Sequence, residues 1–403
     1  MQKYAELIVK CGLNVKEGQE VIIRCGLDQP EFVKMCVEEC YKSGASLVKV
    51  EWSYMPITKL HYDYRSLGTL SEFTGVDKAE WERRVEKLSC LLWIDSDDPD
   101  GLNGTDSEKI SKASQAKFPF IKPYRDSIEN KYQWCIAAVP GREWAKKIYP
   151  ELSVDDAIEK LWENILYCSR VDGDPIKAWD NHNKELAKRC KFLNDYKFES
   201  LEYKSLNGTN FKVGLNSKGV FLGGGERALG SNIYFNANIP SEEVFTSPLR
   251  GKAEGKVVAT KPLSYQGKLI ENFWVRFENG RAVEVHAEKN QDVLEKMIAM
   301  DEGASYLGEV ALIAHDSPIN NTGILFYNTL FDENASCHLA LGRGFNNCLE
   351  NYENYSVEEC EKLGVNSSMI HVDFMIGSAD MSIIGVTADG KRVQIFKEGN
   401  WAI

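Results

Sequence analysis

Residues Glu20–Trp52, EVIIRCGLDQPEFVKMCVEECYKSGASLVKVEW, decide the fold of the first half of the chain. Glu20 to Cys25 (EVIIRC) reads as a strand. Asp28-Gln29-Pro30 then supplies a cap and an early-turn proline, after which Phe32, Val33, Cys36, Val37, Cys40 and Tyr41 recur at helical spacing until Gly44. A second strand, Ser46 to Trp52, follows at once. Strand, helix and strand within roughly thirty residues make a βαβ unit, which handedness and layer rules place in a parallel sheet.

The same grammar extends outward. Further buried strands are expected at Cys90 to Asp95 (CLLWID) and Trp134 to Val139 (WCIAAV), and Ser153 with Asp156 fits a capping box before a helix carrying Ala157, Ile158, Leu161, Trp162, Ile165 and Leu166. Residues 1–173 are therefore read as an α/β domain with a parallel sheet. No phosphate-loop sequence and no G-x-G-x-x-G follows any of these strands, so a nucleotide-binding role has no support. Gly223-Gly224-Gly225 lacks the Lys-Ser/Thr of a phosphate loop and reads as a turn or bulge. Residues 174–196 open with Asp174-Pro175 and place Trp179, Leu186, Cys190 and Leu193 at helical spacing, which predicts a linking helix.

Beyond it the pattern changes to hairpins. Asn207-Gly208, Asn279-Gly280 and Asp389-Gly390 each stand between alternating strand-like runs such as Asn272 to Glu278 and Arg281 to Glu288. One helix, from about Asn290 to Asp301, interrupts them and is expected to stop at Gly303. Residues 197–403 thus read as a β-rich α+β domain.

Composition narrows the function classes. A chain of 403 residues with 43% hydrophobic content can bury a large core, and its length favours two domains. The net charge of -12 argues against nucleic acid or an anionic membrane as the main partner. Met1 to Val15 mixes Lys3, Glu6 and Lys10 among apolar residues, so no signal-peptide core is expected, and no run approaches a membrane span. The 11 cysteines include no C-x-x-C pair and sit mostly in apolar segments, the usage of reduced core thiols in a cytoplasmic protein.

The candidate chemistry lies in the second half. His371-Val372-Asp373-Phe374-Met375-Ile376-Gly377 reads as a strand in which His371 and Asp373, two residues apart, share one face while Val372, Phe374 and Ile376 turn to the other. Alone, such a pair is ordinarily a hydrogen-bonded surface pair. Upstream, Asn238–Thr246 (NIPSEEVFT) places Glu242 and Glu243 after a proline turn, and Tyr306–Leu312 (YLGEVAL) carries Glu309 toward the core. Asp332–Gly342 (DENASCHLALG) does the same for His338. A carboxylate so placed is costly unless paired or bound to a cation. His61, His182, His286 and His315 fit no ligand spacing and take surface or packing roles, and neither H-E-x-x-H nor G-x-S-x-G occurs.

These segments, with the terminal GNWAI, resemble the aminopeptidase T and aminopeptidase S family of thermophilic-type dimetal aminopeptidases, in order and over essentially the whole chain. Glu243, Glu309, His338 and His371 stand 66, 29 and 33 residues apart in turn, with Asp373 two later. The resemblance implies that Glu243, Glu309, His338, His371 and Asp373 are the metal ligands, that the C-terminal domain is catalytic, and that the protein is a homodimer. Phe345 departs from the pattern, because the family has a catalytic tyrosine seven residues after the metal histidine; Tyr352, Tyr355 or Arg343 are the groups left to replace it.

Three carboxylates and two imidazoles are too many donors for one tetrahedral ion that also holds water, but they suit two divalent ions about 4 Å apart with one carboxylate bridging. Oxygen and nitrogen donors favour Zn, Co or Mn without choosing among them. Glu309 is the expected bridge, with a general-base role open to it. The expectation is a cytoplasmic metallo-aminopeptidase acting on peptides with a free N-terminus. The alternative is a metal-holding, peptide-binding paralogue that Phe345 has weakened in catalysis.

Overall fold

The strand, helix and strand expected at the start of the chain form as Glu20–Gly26, Pro30–Lys42 and Leu47–Ser53 in a computed structural model that describes residues 1–403. The chain divides into two compact units, Met1–Trp179 with Gly225–Pro240, and Asp180–Gly224 with Ser241–Ile403.

In the first unit four strands lie in the order Leu47–Ser53, Glu20–Gly26, Cys90–Asp95, Trp134–Ala138, each neighbouring pair parallel. Val21, Ile23, Cys25, Leu92, Ile94, Cys135 and Ala137 alternate onto one face and are buried, as are Phe32, Val33, Cys36 and Cys40 of the intervening helix. The opposite face carries Arg24 and a half-exposed Trp93 in one row. Helices Met55–Tyr64, Gly75–Lys87 and Ser107–Ile128 have no counterpart in the sequence reading. The first two bury no residue at all, and the third contains Pro119 and Pro123, so neither periodicity nor breaker rules announce them. Residues 225–240 fold with this unit because Ile136 donates to the Ala237 carbonyl and Ile239 donates back to Ile136, at 2.7 and 2.9 Å.

The helix expected over 174–196 runs from Pro175 to Tyr196, and its Leu186 and Leu193 enter the core of the second unit. That core joins them to Leu201, Val213, Phe273, Val310, Leu339 and Phe374, inside a nine-stranded and a five-stranded sheet. All three expected hairpins are present, with Gly208, Gly280 and Gly390 at φ of 100°, 80° and 83°. The Asn290 helix is shorter than its sequence pattern, ending at Ile298. Asp301 is drawn instead into accepting from the Ala304 and Met369 backbone, at 2.8 and 2.6 Å. The chain is thus an α/β half with a parallel sheet followed by a half rich in antiparallel sheet, as the sequence led us to expect.

Candidate metal centre

The five-stranded antiparallel sheet runs His371–Met375, His338–Gly342, Leu307–Leu312, Val244–Thr246, Leu222–Gly223. Directly paired residues of such a sheet point to the same side, and residues two apart repeat it. Glu309 pairs with Ala340, and Ala340 with Asp373, so the three form one row. Two residues along, His338 and His371 repeat that face, and Phe245, paired with Ala311, puts Glu243 there as well. The other face holds Val244, Val310, Leu312, Leu339, Leu341, Val372 and Phe374, all in the core. Strand pairing therefore gathers the polar groups on one side, where Ala311 and Ala340 leave space between them.

Glu309 reaches that side only through a bulge. Leu307 pairs with Leu341 and Glu309 with Ala340, leaving Gly308 as an extra residue. Without it, the strand would turn Glu309 to the opposite face. A Cβ on Gly308 would stand 2.1 Å from the Arg343 carbonyl oxygen, so only glycine fits this approach.

His371 Nε2 lies 3.1 Å from Glu309 Oε2 and 3.3 Å from Asp373 Oδ1, while His338 Nε2 lies 3.6 Å from Glu243 Oε2 and 3.8 Å from Asp373 Oδ1. Both rings are turned to do so from behind. His338 Nδ1 donates to the Glu333 carbonyl at 2.8 Å and His371 Nδ1 to the Arg343 carbonyl at 2.7 Å. A backbone acceptor on the far nitrogen fixes the tautomer that presents Nε2 inward. Two sets of donor atoms able to hold an ion result: Glu243, Glu309 and His338, and Glu309, His371 and Asp373, each within 4.8 Å. Glu309 belongs to both.

The electrostatics are those of buried charges in need of a counter-ion. Burial, then the neighbouring Glu309 and Asp373, hold the Glu243 carboxyl well above its ordinary range. Burial opposes the charge on His371, but Asp373 and Glu309 outweigh it and raise the imidazole. Asp373 is also pushed up by burial, yet His371 and His338 bring it below the usual value. Its Oδ1 is buried, with only the two imidazole Nε2 atoms facing it, at 3.3 and 3.8 Å. A cation would satisfy that oxygen and relieve the crowding of like charges.

The sequence reading missed one acid of the cluster. Glu333, on the short turn Glu333–Ala335, has its carboxyl raised by burial and then by Asp373, Glu243 and Glu309. The clue is its place five residues before His338 in DENASCH, but turn residues carry no face periodicity to single it out. Glu242, adjacent to Glu243, has its Oε2 3.9 Å from His182 Nε2. His182 packs beneath this segment and donates to the Ser241 carbonyl at 2.7 Å. Phe345 borders the cluster, its ring centre 4.9 Å from that of His371 and 5.7 Å from that of Phe245. Tyr352 and Tyr355 pack against a small separate core of Leu349, Cys360 and Val365, where the Tyr355 hydroxyl accepts from Lys218.

Residues 1–401 match the family described as thermophilic metalloprotease (M29). The whole chain is similar to aminopeptidase AmpS of Bacillus subtilis (strain 168), 42% identical over 98% of that protein, and to aminopeptidase T of Thermus aquaticus, 39% identical over 98%. Its structure is similar to wild-type AmpT from Thermus thermophilus, with a TM-score of 0.91 and 36% identity over 100% of this chain and 98% of that one. A 2,5-dihydroxypyridine dioxygenase of Pseudomonas putida KT2440 shares the fold alone, with a TM-score of 0.52 and 11% identity. The chain is a metallo-aminopeptidase, a hydrolase that depends on a divalent metal. It belongs to the thermophilic metalloprotease (M29) family.

Proposed function

We propose that this chain removes N-terminal residues from peptides with a free N-terminus, using two divalent ions held by Glu243, Glu309, His338, His371 and Asp373. The observation that carries this reading is the membership of Glu309 in both sets of donors, the position of a bridging carboxylate. Charge supports it too. Glu243, Glu309, Glu333 and Asp373 are four carboxylates, which two divalent cations balance and one does not. All the donors are oxygen or nitrogen, a set suited to Zn, Co or Mn. Bound divalent ions would make water acidic enough to attack at neutral pH and would polarise the scissile carbonyl.

The remaining work falls to the chain. Glu309, common to both donor sets, would be engaged as a ligand, and Glu333, whose carboxyl lies in the cluster but outside both sets, would serve as general base, taking a proton from water and returning it to the leaving amine. With Nδ1–H given to backbone carbonyls, His338 and His371 turn Nε2 toward the cluster, where it would bind an ion. We further propose a homodimer working in the cytoplasm. Free thiols at all 11 cysteines suit a reducing compartment, and no helix is long and apolar enough to cross a membrane.

Two measurements test the reading. Metal analysis should find two ions per chain, reduced in His371→Ala; unchanged content in that variant would remove the ligand assignment. An unblocked dipeptide should be cleaved and its N-acetylated form spared, and equal cleavage would point to an endopeptidase. Phe345 favours a second reading, a peptide-binding paralogue weakened in turnover, since a phenylalanine beside His371 offers no hydroxyl to an oxyanion.

A further inference from the structure

Asn334 is fully buried on the turn Glu333–Ala335, and its amide joins segments that are distant in sequence. Its Oδ1 accepts from the Glu242 backbone N–H at 2.7 Å, a buried hydrogen bond that holds the Ser241–Glu242 peptide, one residue ahead of Glu243. Its Nδ2 donates to the Leu330 carbonyl at 3.0 Å and reaches Glu333 Oε1 at 3.4 Å. The same turn supplies the Glu333 carbonyl that holds His338 Nδ1. One side chain thus ties together the carriers of Glu243, Glu333 and His338. No hydrogen bond runs from it to His371 or Asp373, whose support comes from the Arg343 carbonyl and the neighbouring strand.

We infer that Asn334 is a positioning residue for one ion only, the one that Glu243, Glu309 and His338 would hold, and that it sets the affinity there. The inference rests on the two-ion reading above. A buried N–H left without its acceptor costs the full desolvation penalty, so the peptide at Glu242 would shift to find another partner and would carry Glu243 with it. Outer partners of metal ligands typically contribute ten- to a hundredfold to affinity. Glu309 is shared, but it sits on a strand that Asn334 does not contact through any hydrogen bond.

The test is a titration of the metal-stripped full-length chain with Co(II), followed by its visible absorption and by calorimetry, in the parent, Asn334→Ala, Asn334→Asp and His371→Ala. Asn334→Ala should weaken one of two uptake events by about ten- to a hundredfold and leave the other within about threefold. Asn334→Asp keeps an acceptor for the Glu242 N–H and should recover most of that loss. His371→Ala should weaken the event that Asn334→Ala spares. The inference is overturned if Asn334→Ala takes up both ions as the parent does. It is equally overturned if both events weaken together while the metal-free protein melts lower, since that marks a purely structural amide. A parent that never takes up two ions overturns the site reading itself, and this inference with it.

Discussion

At Phe345 the two proposed readings, active enzyme and weakened paralogue, differ by one oxygen atom. The ring already lies 4.9 Å from His371, so Phe345→Tyr adds a hydroxyl at the border of the cluster without moving the backbone. A donor that acts on the developing oxyanion raises turnover and leaves ground-state binding alone. The expected gain is about tenfold, or about 1.4 kcal/mol, in kcat on a dipeptide, with KM nearly unchanged. No gain in a parent that binds two ions and is already active means that another group supplies the donor. No gain in an inactive two-ion parent favours the peptide-binding paralogue. The five residues singled out from the sequence, Glu243, Glu309, His338, His371 and Asp373, do meet on one sheet face; for His371 and Asp373 the period-two alternation that the sequence displays is enough, whereas Glu309 also needs the bulge at Gly308. Glu333 escaped for the complementary reason, since a residue on a turn has no face until the turn is folded.

At the scale of the element, the strand Leu307–Leu312 is aimed by a single inserted glycine. In Gly308→Ala the new methyl group would meet the Arg343 carbonyl at 2.1 Å, and the strand can escape only by sliding or by losing its bulge. Overpacking of this kind costs roughly 1 to 3 kcal/mol. Thermal melting should fall accordingly, and metal content should fall with it, because Glu309 serves both donor sets. A variant that melts lower but still takes up two ions would show that the bulge does not aim Glu309. Alternation made Glu309 visible as a strand acid, whereas the bulge that decides its side depends on the partner strand. The long helix Ser107–Ile128 was hidden differently: Pro119 and Pro123 lie within it, and only Ala113 and Ile128 are buried.

Across the whole molecule, ion binding and folding are coupled through the cluster's protons. The carboxyls of Glu243 and Glu333 are raised well above the ordinary glutamate value of 4.5 by burial and by the other acids. A raised folded-state value stabilises the fold below the unfolded value, and that contribution is lost as pH rises through the folded one. Asp373 works in the opposite sense: its lowered value gives stability above 3.8 that is lost only in acid. The metal-stripped protein should therefore melt progressively lower as pH rises above about 4.5, and Glu243→Gln should flatten this slope. Added Zn or Co should reverse it, because the ions require the ionised carboxylates and displace their protons. A stripped protein whose melting temperature climbs steadily from pH 5 to 8 would contradict this account. A last property follows from how the two imidazoles are held. Their outer nitrogens grip the main chain at Glu333 and Arg343, and every amino acid carries a carbonyl there. The bond that orients His371 is therefore supplied by the main chain at position 343, so the orientation of the ring is inherited through the backbone.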